Sequence, residues 1–207
     1  MKKMKYLLLT LVLMLMLAAC GSKEDNSDAG LVESTEDTSK ESMDKEQGEE
    51  SDEGASAENA EPVKLFGTFT SKTLEGEEVT EEIFAQADLT MVNIWGTFCG
   101  PCIAEMPDLG EISREYADKG FQIVGILCDV MESGDETALE IVGETKADYT
   151  HLIASDDLTM NVLQYVSSVP TTAFIDKEGN MVGEIYAGSR SKTEWELIIN
   201  QYLAEVK

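Results

Sequence analysis

A chain of 207 residues has room for one domain with a full apolar core and a long segment outside it. Its 41 acidic residues against 15 basic ones give a formal net charge of −26, which argues against nucleic acid as a partner, because a phosphate-binding surface needs clustered Lys and Arg. Four cysteines and a single histidine leave few soft ligands for a metal site.

The first segment says where the protein works. Met1 to Lys5 carries three lysines, and Tyr6 to Leu17 is a nearly unbroken apolar run, short for a membrane span. That order is the order of an export signal. Leu17-Ala18-Ala19-Cys20 resembles the bacterial lipobox. The resemblance implies a lipoprotein signal peptide over residues 1–19 and a mature chain that begins at a diacylglyceryl-modified Cys20. An ordinary signal peptide with an incidental cysteine is the other reading. Lipid on Cys20 would place the protein at the cell membrane, on its extracytoplasmic side, where disulfides form. Residues 20–62 are then a tether. The stretch is rich in Glu, Asp, Ser and Gly and lacks aromatic residues, so it buries too little apolar area to offset ordering entropy. Its like charges extend it. Residues 63–207 form the domain.

Within that domain, Phe66 to Val79 reads as a hairpin turning at Leu74-Glu75-Gly76-Glu77, and Thr80 to Gln86 as a short helical turn. Residues 89–95 (LTMVNIW) read as a buried strand. Trp95-Gly96-Thr97-Phe98-Cys99-Gly100-Pro101-Cys102 follows, and a helical pattern runs from Cys102 to about Asp118, ending at Lys119-Gly120. A thiol at a helix N-terminus sits among unpaired N–H groups at the positive end of the dipole, and both favour the thiolate. Strand, CxxC and helix together argue for dithiol–disulfide exchange. A zinc site would need two further ligands from Cys20, Cys128 and His151, with no second paired spacing. A purely structural disulfide would staple very little chain.

Phe121 to Cys128 (FQIVGILC) is a further strand, Glu136 to Lys146 a helix, His151 to Ile153 a short strand and Asp157 to Tyr165 a short helix. Thr171 to Asp176 and Met181 to Tyr186 form a hairpin around Lys177-Glu178-Gly179-Asn180. The last helix opens with a capping box, Ser191-Lys192-Thr193-Glu194, and buries Trp195, Ile198, Ile199 and Tyr202. Strands alternating with helices indicate an α/β sandwich. Cys128, at a strand end, reads as inert packing, with a reactive third thiol as the alternative. His151 reads as a strand-end or surface histidine rather than a catalytic base.

The WGTFCGPC motif, Glu105-Met106-Pro107, Ser168-Val169-Pro170-Thr171-Thr172 and FIDKEGN together resemble the TlpA/ResA-type branch of the thioredoxin superfamily, from about Val63 to the C-terminus. The resemblance implies a thioredoxin-like α/β fold: a central mixed β-sheet flanked by helices, with an N-terminal hairpin and an internal strand–helix insertion. It implies Cys99 as the exposed nucleophile and Cys102 as the resolving thiol of a redox-active disulfide. Pro170 matches the family's cis-proline, which would turn the Val169 backbone toward the dithiol beside an extended substrate. Trp95, Phe98, Val169 and Pro170 are the expected substrate-binding residues. Thioredoxin carries a buried Asp two residues before the motif Trp; here the residue is Asn93, which exchanges no protons. Glu105, one turn beyond Cys102, is the expected proton acceptor in its place. Phe98 replaces the usual Trp and keeps an apolar lip without an indole N–H.

The resemblance implies a monomeric thiol–disulfide oxidoreductase that works as a reductant. It needs no metal and no cofactor beyond its own disulfide. Its partners would be disulfide-containing exported proteins, apocytochrome c among them, and a membrane electron donor such as a transmembrane thiol oxidoreductase. A peptide-holding chaperone using the Val169–Pro170 groove is a second class. A thiol peroxidase is a third, disfavoured because Thr97 stands at the wrong spacing from Cys99.

Overall fold

The structure is a computed structural model that describes residues 62–207. The export signal, lipidated Cys20 and the acidic tether except its last residue, Pro62, fall on residues 1–61 and lie outside the described residues.

The described chain opens with an antiparallel hairpin, β1 (Thr70–Lys72) and β2 (Glu78–Thr80), followed by a 3-10 turn over Glu81–Gln86. β3 (Leu89–Trp95) is buried at every position and leads into α1 (Gly100–Tyr116). Then come β4 (Phe121–Leu127), α2 (Glu136–Thr145), β5 (Thr150–Leu152) and α3 (Asp156–Asn161). A hairpin of β6 (Thr171–Asp176) and β7 (Met181–Ala187) precedes the final α4 (Lys192–Glu205).

The main sheet runs β5-β4-β3-β6-β7, with β3, β4 and β5 mutually parallel, β6 antiparallel to β3 and β7 antiparallel to β6. β3 lies at the centre and packs apolar side chains on both faces, which is why its sequence shows a continuous apolar run rather than alternation. Leu89, Met91 and Trp95 face Leu109 and Ile112 of α1, Ala138 of α2 and Trp195 of α4. Val92 and Ile94 face the opposite way, toward Phe84 of the 3-10 turn and Leu158 of α3. The sheet is thus mixed and flanked by helices, as the resemblance implies. α2, β5 and α3 fill the connection between β4 and β6, and the N-terminal hairpin tacks onto β5 through the Thr73–Leu152 bridge.

Two of the differences from the sequence reading have a local cause. α1 begins at Gly100 rather than Cys102, because Cys99 itself serves as N-cap and Pro101 occupies the first turn, where its missing N–H has no helical acceptor. The helix expected over 157–165 divides into α3 and a 3-10 turn at Leu163–Tyr165. The Asn161 amide at the break donates to Phe66 O at 3.0 Å and Thr68 O at 3.1 Å, tying the end of α3 to the entering chain.

Candidate active site

β3, the central strand, delivers the motif at its C-terminal end, and α1 starts at Gly100. Cys99 and Cys102 are joined as a disulfide, with Cα atoms 5.3 Å apart. Cys99 Sγ also accepts from the Cys102 backbone N–H at 3.2 Å, so the sulfur itself caps the helix. A thiolate at this atom would gain from the same N–H and from the helix dipole. Cys102 lies inward at 0 % exposure. Cys99 is less open than expected, with 5 % of its surface exposed while paired. The Val169 carbonyl covers it at 3.5 Å from Sγ. The disulfide has no S–H, so this is a contact; a Cys99 thiol would donate there.

The Val169–Pro170 peptide bond is cis. Cys99 opens into a depression of about 430 Å³, walled by Phe98, Cys128, Leu163, Val166 and Val169. Phe98, 72 % exposed, forms the expected apolar lip. Trp95 does not join this surface: it is fully buried and offers no face to a substrate, which corrects its assignment as a substrate-binding residue. Cys128 follows β4, and its N–H donates to Trp95 O at 2.8 Å. Burial raises the Cys128 thiol pKa, and the Asp129 carboxylate raises it further, so the group resists ionisation.

Glu105 is buried in α1, beneath the dithiol and against the first residues of α4. Its Oε1 accepts from Asn93 Nδ2 at 3.1 Å, and its Oε2 accepts from the Arg190 backbone N–H at 3.2 Å and Trp195 Nε1 at 3.4 Å. Burial drives its pKa up from the usual carboxylate range, while these three donors and the Arg190 charge pull it partly back. Sequence reading recognised Glu105 and Asn93 but took Trp195 for packing alone. Thr172, which accepts from Asn93 Nδ2 at 3.2 Å, was visible only as part of the motif after Pro170.

His151 lies on the short strand β5, as one reading had it, and the surface alternative is corrected: the residue is 1 % exposed and packs beneath Trp95. Trp95 Nε1 donates to His151 Nδ1 at 3.2 Å, and an indole nitrogen has only a proton to give, so Nδ1 must carry the lone pair. The ring proton therefore sits on Nε2, which donates to Ala147 O at 2.8 Å. Burial drives the His151 pKa down to about 4. Space for the ring comes from Gly125, its registered neighbour on β4: a Cβ there would stand 2.3 Å from His151 Nδ1. A glycine inside the otherwise apolar FQIVGIL strand was the available signal for such a close approach.

A CxxC disulfide capping a helix at the end of the central strand, opposite a cis-proline loop, defines a thioredoxin-fold thiol–disulfide oxidoreductase. The chain belongs to the Redoxin family, whose profile matches residues 57–197. It is 33 % identical over 128 residues to the Thioredoxin-like protein YneN of Bacillus subtilis (strain 168), covering 62 % of this chain and 72 % of that one. It is 30 % identical over 151 residues to the Thiol-disulfide oxidoreductase ResA of Bacillus thuringiensis subsp. konkukian (strain 97-27), covering 72 % of this chain and 80 % of the relative. Among solved structures, a thioredoxin-family thiol:disulfide interchange protein of Chlorobium tepidum TLS superposes with a TM-score of 0.58. At 24 % identity over 70 % of this chain and 99 % of that one, the match establishes the fold. The ResA-type resemblance is borne out, and the enzyme class with it.

Proposed function

We propose that this enzyme is anchored to the extracytoplasmic face of the membrane through lipid on Cys20 and reduces disulfides of exported proteins, apocytochrome c among them. The observation that carries the reading is the asymmetric pair. Cys99 opens on a peptide-sized groove, while Cys102 is sealed inside, one helical turn from a buried carboxylate. In the reduced enzyme the Cys99 thiolate attacks a substrate disulfide, forming a mixed disulfide and expelling one substrate thiolate. Cys102 then loses its proton to Glu105, attacks Cys99 Sγ and releases the second substrate sulfur. Two electrons pass to the substrate and leave the Cys99–Cys102 disulfide. A membrane thiol oxidoreductase reloads the pair. The Val169 carbonyl, beside Cys99, is an acceptor for the backbone of an extended substrate.

Cys102→Ala removes the resolving thiol and should stall the mixed disulfide on Cys99. Membranes carrying this variant should yield an exported protein released by reductant, and Cys99→Ala should yield none. Disulfide reduction that persists in Cys99→Ala would overturn the assignment. Peptide binding without any trapped adduct would favour a holding function in the same groove.

A further inference from the structure

Arg190 lies between the end of β7 and the Ser191 cap of α4, and its backbone and side chain serve different partners. The backbone N–H donates to Glu105 Oε2 at 3.2 Å, where the Trp195 indole N–H also donates at 3.4 Å. The side chain turns back on its own loop: Nη1 donates to Gly188 O at 3.2 Å and to Ala187 O at 3.5 Å. The guanidinium also lies over two rings, 4.6 Å from the Tyr186 centroid and 5.2 Å from that of Trp195.

The two ends of this loop are pinned, by the Gly188 N–H on Pro170 O at 2.9 Å and by the capping box at Ser191. Its middle is not packed: Gly188 takes a left-handed φ of 83, and Gly188 and Ser189 are exposed. The Arg190 side chain closes that span against the ordered surface of the domain. A planar guanidinium donates through its edge while it stacks through its face, which the compact ammonium of a lysine does not do. The place of the Arg190 N–H over Glu105 therefore depends on the side chain of the same residue.

We propose that Arg190 is a positioning residue for the proton acceptor: its guanidinium clasps the loop between β7 and α4 onto Tyr186 and Trp195, and so holds its own backbone N–H on Glu105 Oε2. The link to catalysis rests on Glu105 as the proton acceptor for Cys102, since a carboxyl already protonated at the working pH takes no proton from the thiol. The consequence has one sign. Burial lifts the Glu105 pKa, and Arg190 opposes the lift twice, through the backbone hydrogen bond and through the guanidinium charge. Opening the clasp weakens the first, and removing the charge abolishes the second. The other groups facing Glu105 are Asn93 of β3, with Thr172 of β6 behind it, Trp195 of α4 and Cys102 on its own helix. Tyr149, ahead of β5, is kept neutral by burial and by the Glu105 charge. Among these groups Arg190 carries the only positive charge.

Two substitutions separate the clasp from the charge. Arg190→Met keeps the apolar stem and removes fork and charge, whereas Arg190→Lys keeps the charge without the fork. Nuclear magnetic resonance on the isotope-labelled full-length chain, with the disulfide intact so that Cys102 has no proton to exchange, reads two quantities. One is the hydrogen-exchange rate of the residue-190 amide, and the other is the titration midpoint of the Glu105 carboxyl carbon. Exchange at position 190 should quicken about tenfold or more in both variants. The Glu105 midpoint should rise by about half a pH unit or more in Arg190→Met, and by less in Arg190→Lys. Unchanged exchange in both variants would reduce Arg190 to a charge at a distance and overturn the clasp. So would a Glu105 midpoint in Arg190→Met equal to that of wild type. In the reduced enzyme, the acid limb of the thiol-exchange pH profile should move up with the Glu105 midpoint. Should exchange quicken and the midpoint rise while that limb stays in place, the catalytic role of Glu105 fails and the clasp stands.

Discussion

At the scale of single residues, His151 ties stability to pH through a group that takes no part in the exchange. Both ring nitrogens are committed in the neutral form, and an imidazolium cannot accept from the Trp95 indole. The folded pKa is depressed to about 4 from an ordinary value of 6.5. As pH falls from about 6.5 toward 4, the unfolded chain binds a proton that the folded chain refuses, so stability falls, by up to about 3 kcal/mol. His151→Leu should lose about 1–3 kcal/mol at pH 7.5 by leaving the Trp95 N–H unpaired. Because Leu carries no proton, the gap from wild type should narrow on acidification. Urea unfolding of both proteins at pH 7.5 and 4.5 measures this, and parallel pH dependence would exclude the account. Sequence placed His151 on the correct strand with the wrong surroundings. Burial of a three-residue strand depends on what crosses it, and here that is Tyr149, Trp95 and the space above Gly125.

At the scale of elements, the helix ends were legible because their chemistry is local. The capping box at Ser191 and Glu194 forms as read, with both reciprocal hydrogen bonds present. α1 gives way to a 3-10 turn and closes at Gly120, which adopts φ 80. The approach of α1 to α2 was not legible. Gly110 lies in the middle of α1, where glycine is a poor helix former, and nothing in the surrounding pattern asks for it. The structure supplies the reason: a Cβ at Gly110 would stand 2.3 Å from the backbone O of Lys146, the left-handed residue that ends α2. Backbone cannot yield as a side-chain tip can. Gly110→Ala should therefore destabilise by roughly 1–3 kcal/mol despite the better helix propensity of Ala, as read by the urea midpoint. A stabilised variant would show that the two helices move apart freely.

At the scale of the whole molecule, the proposed division of labour separates anchoring from chemistry. The acidic stretch carries no residue assigned to the exchange, and the described chain holds the dithiol, its groove and its buried carboxylate together. Deleting residues 24–60 should leave disulfide reduction in detergent-free solution unchanged within about twofold, measured on a soluble form lacking lipid. A large loss would mean that the acidic stretch recruits the substrate. Among the described residues no helix is long and apolar enough to cross a membrane.

Sequence by itself determined the alternation of strands and helices and the dithiol at its helix, because each depends on residues within a few positions or on the period of an apolar run. The thioredoxin-like fold and the proline beside the dithiol, some 70 positions away, were legible only through the family resemblance. Tertiary structure decided who surrounds the carboxylate. Asn93 lies 12 positions from Glu105, Arg190 lies 85 and Trp195 lies 90, and the fold brings all three to one pair of oxygens. A buried carboxylate must have its lone pairs satisfied, and in a layered α/β domain the donors come from whichever elements pack above and below it. Local pattern locates a carboxyl group; only packing says how firmly it holds its proton.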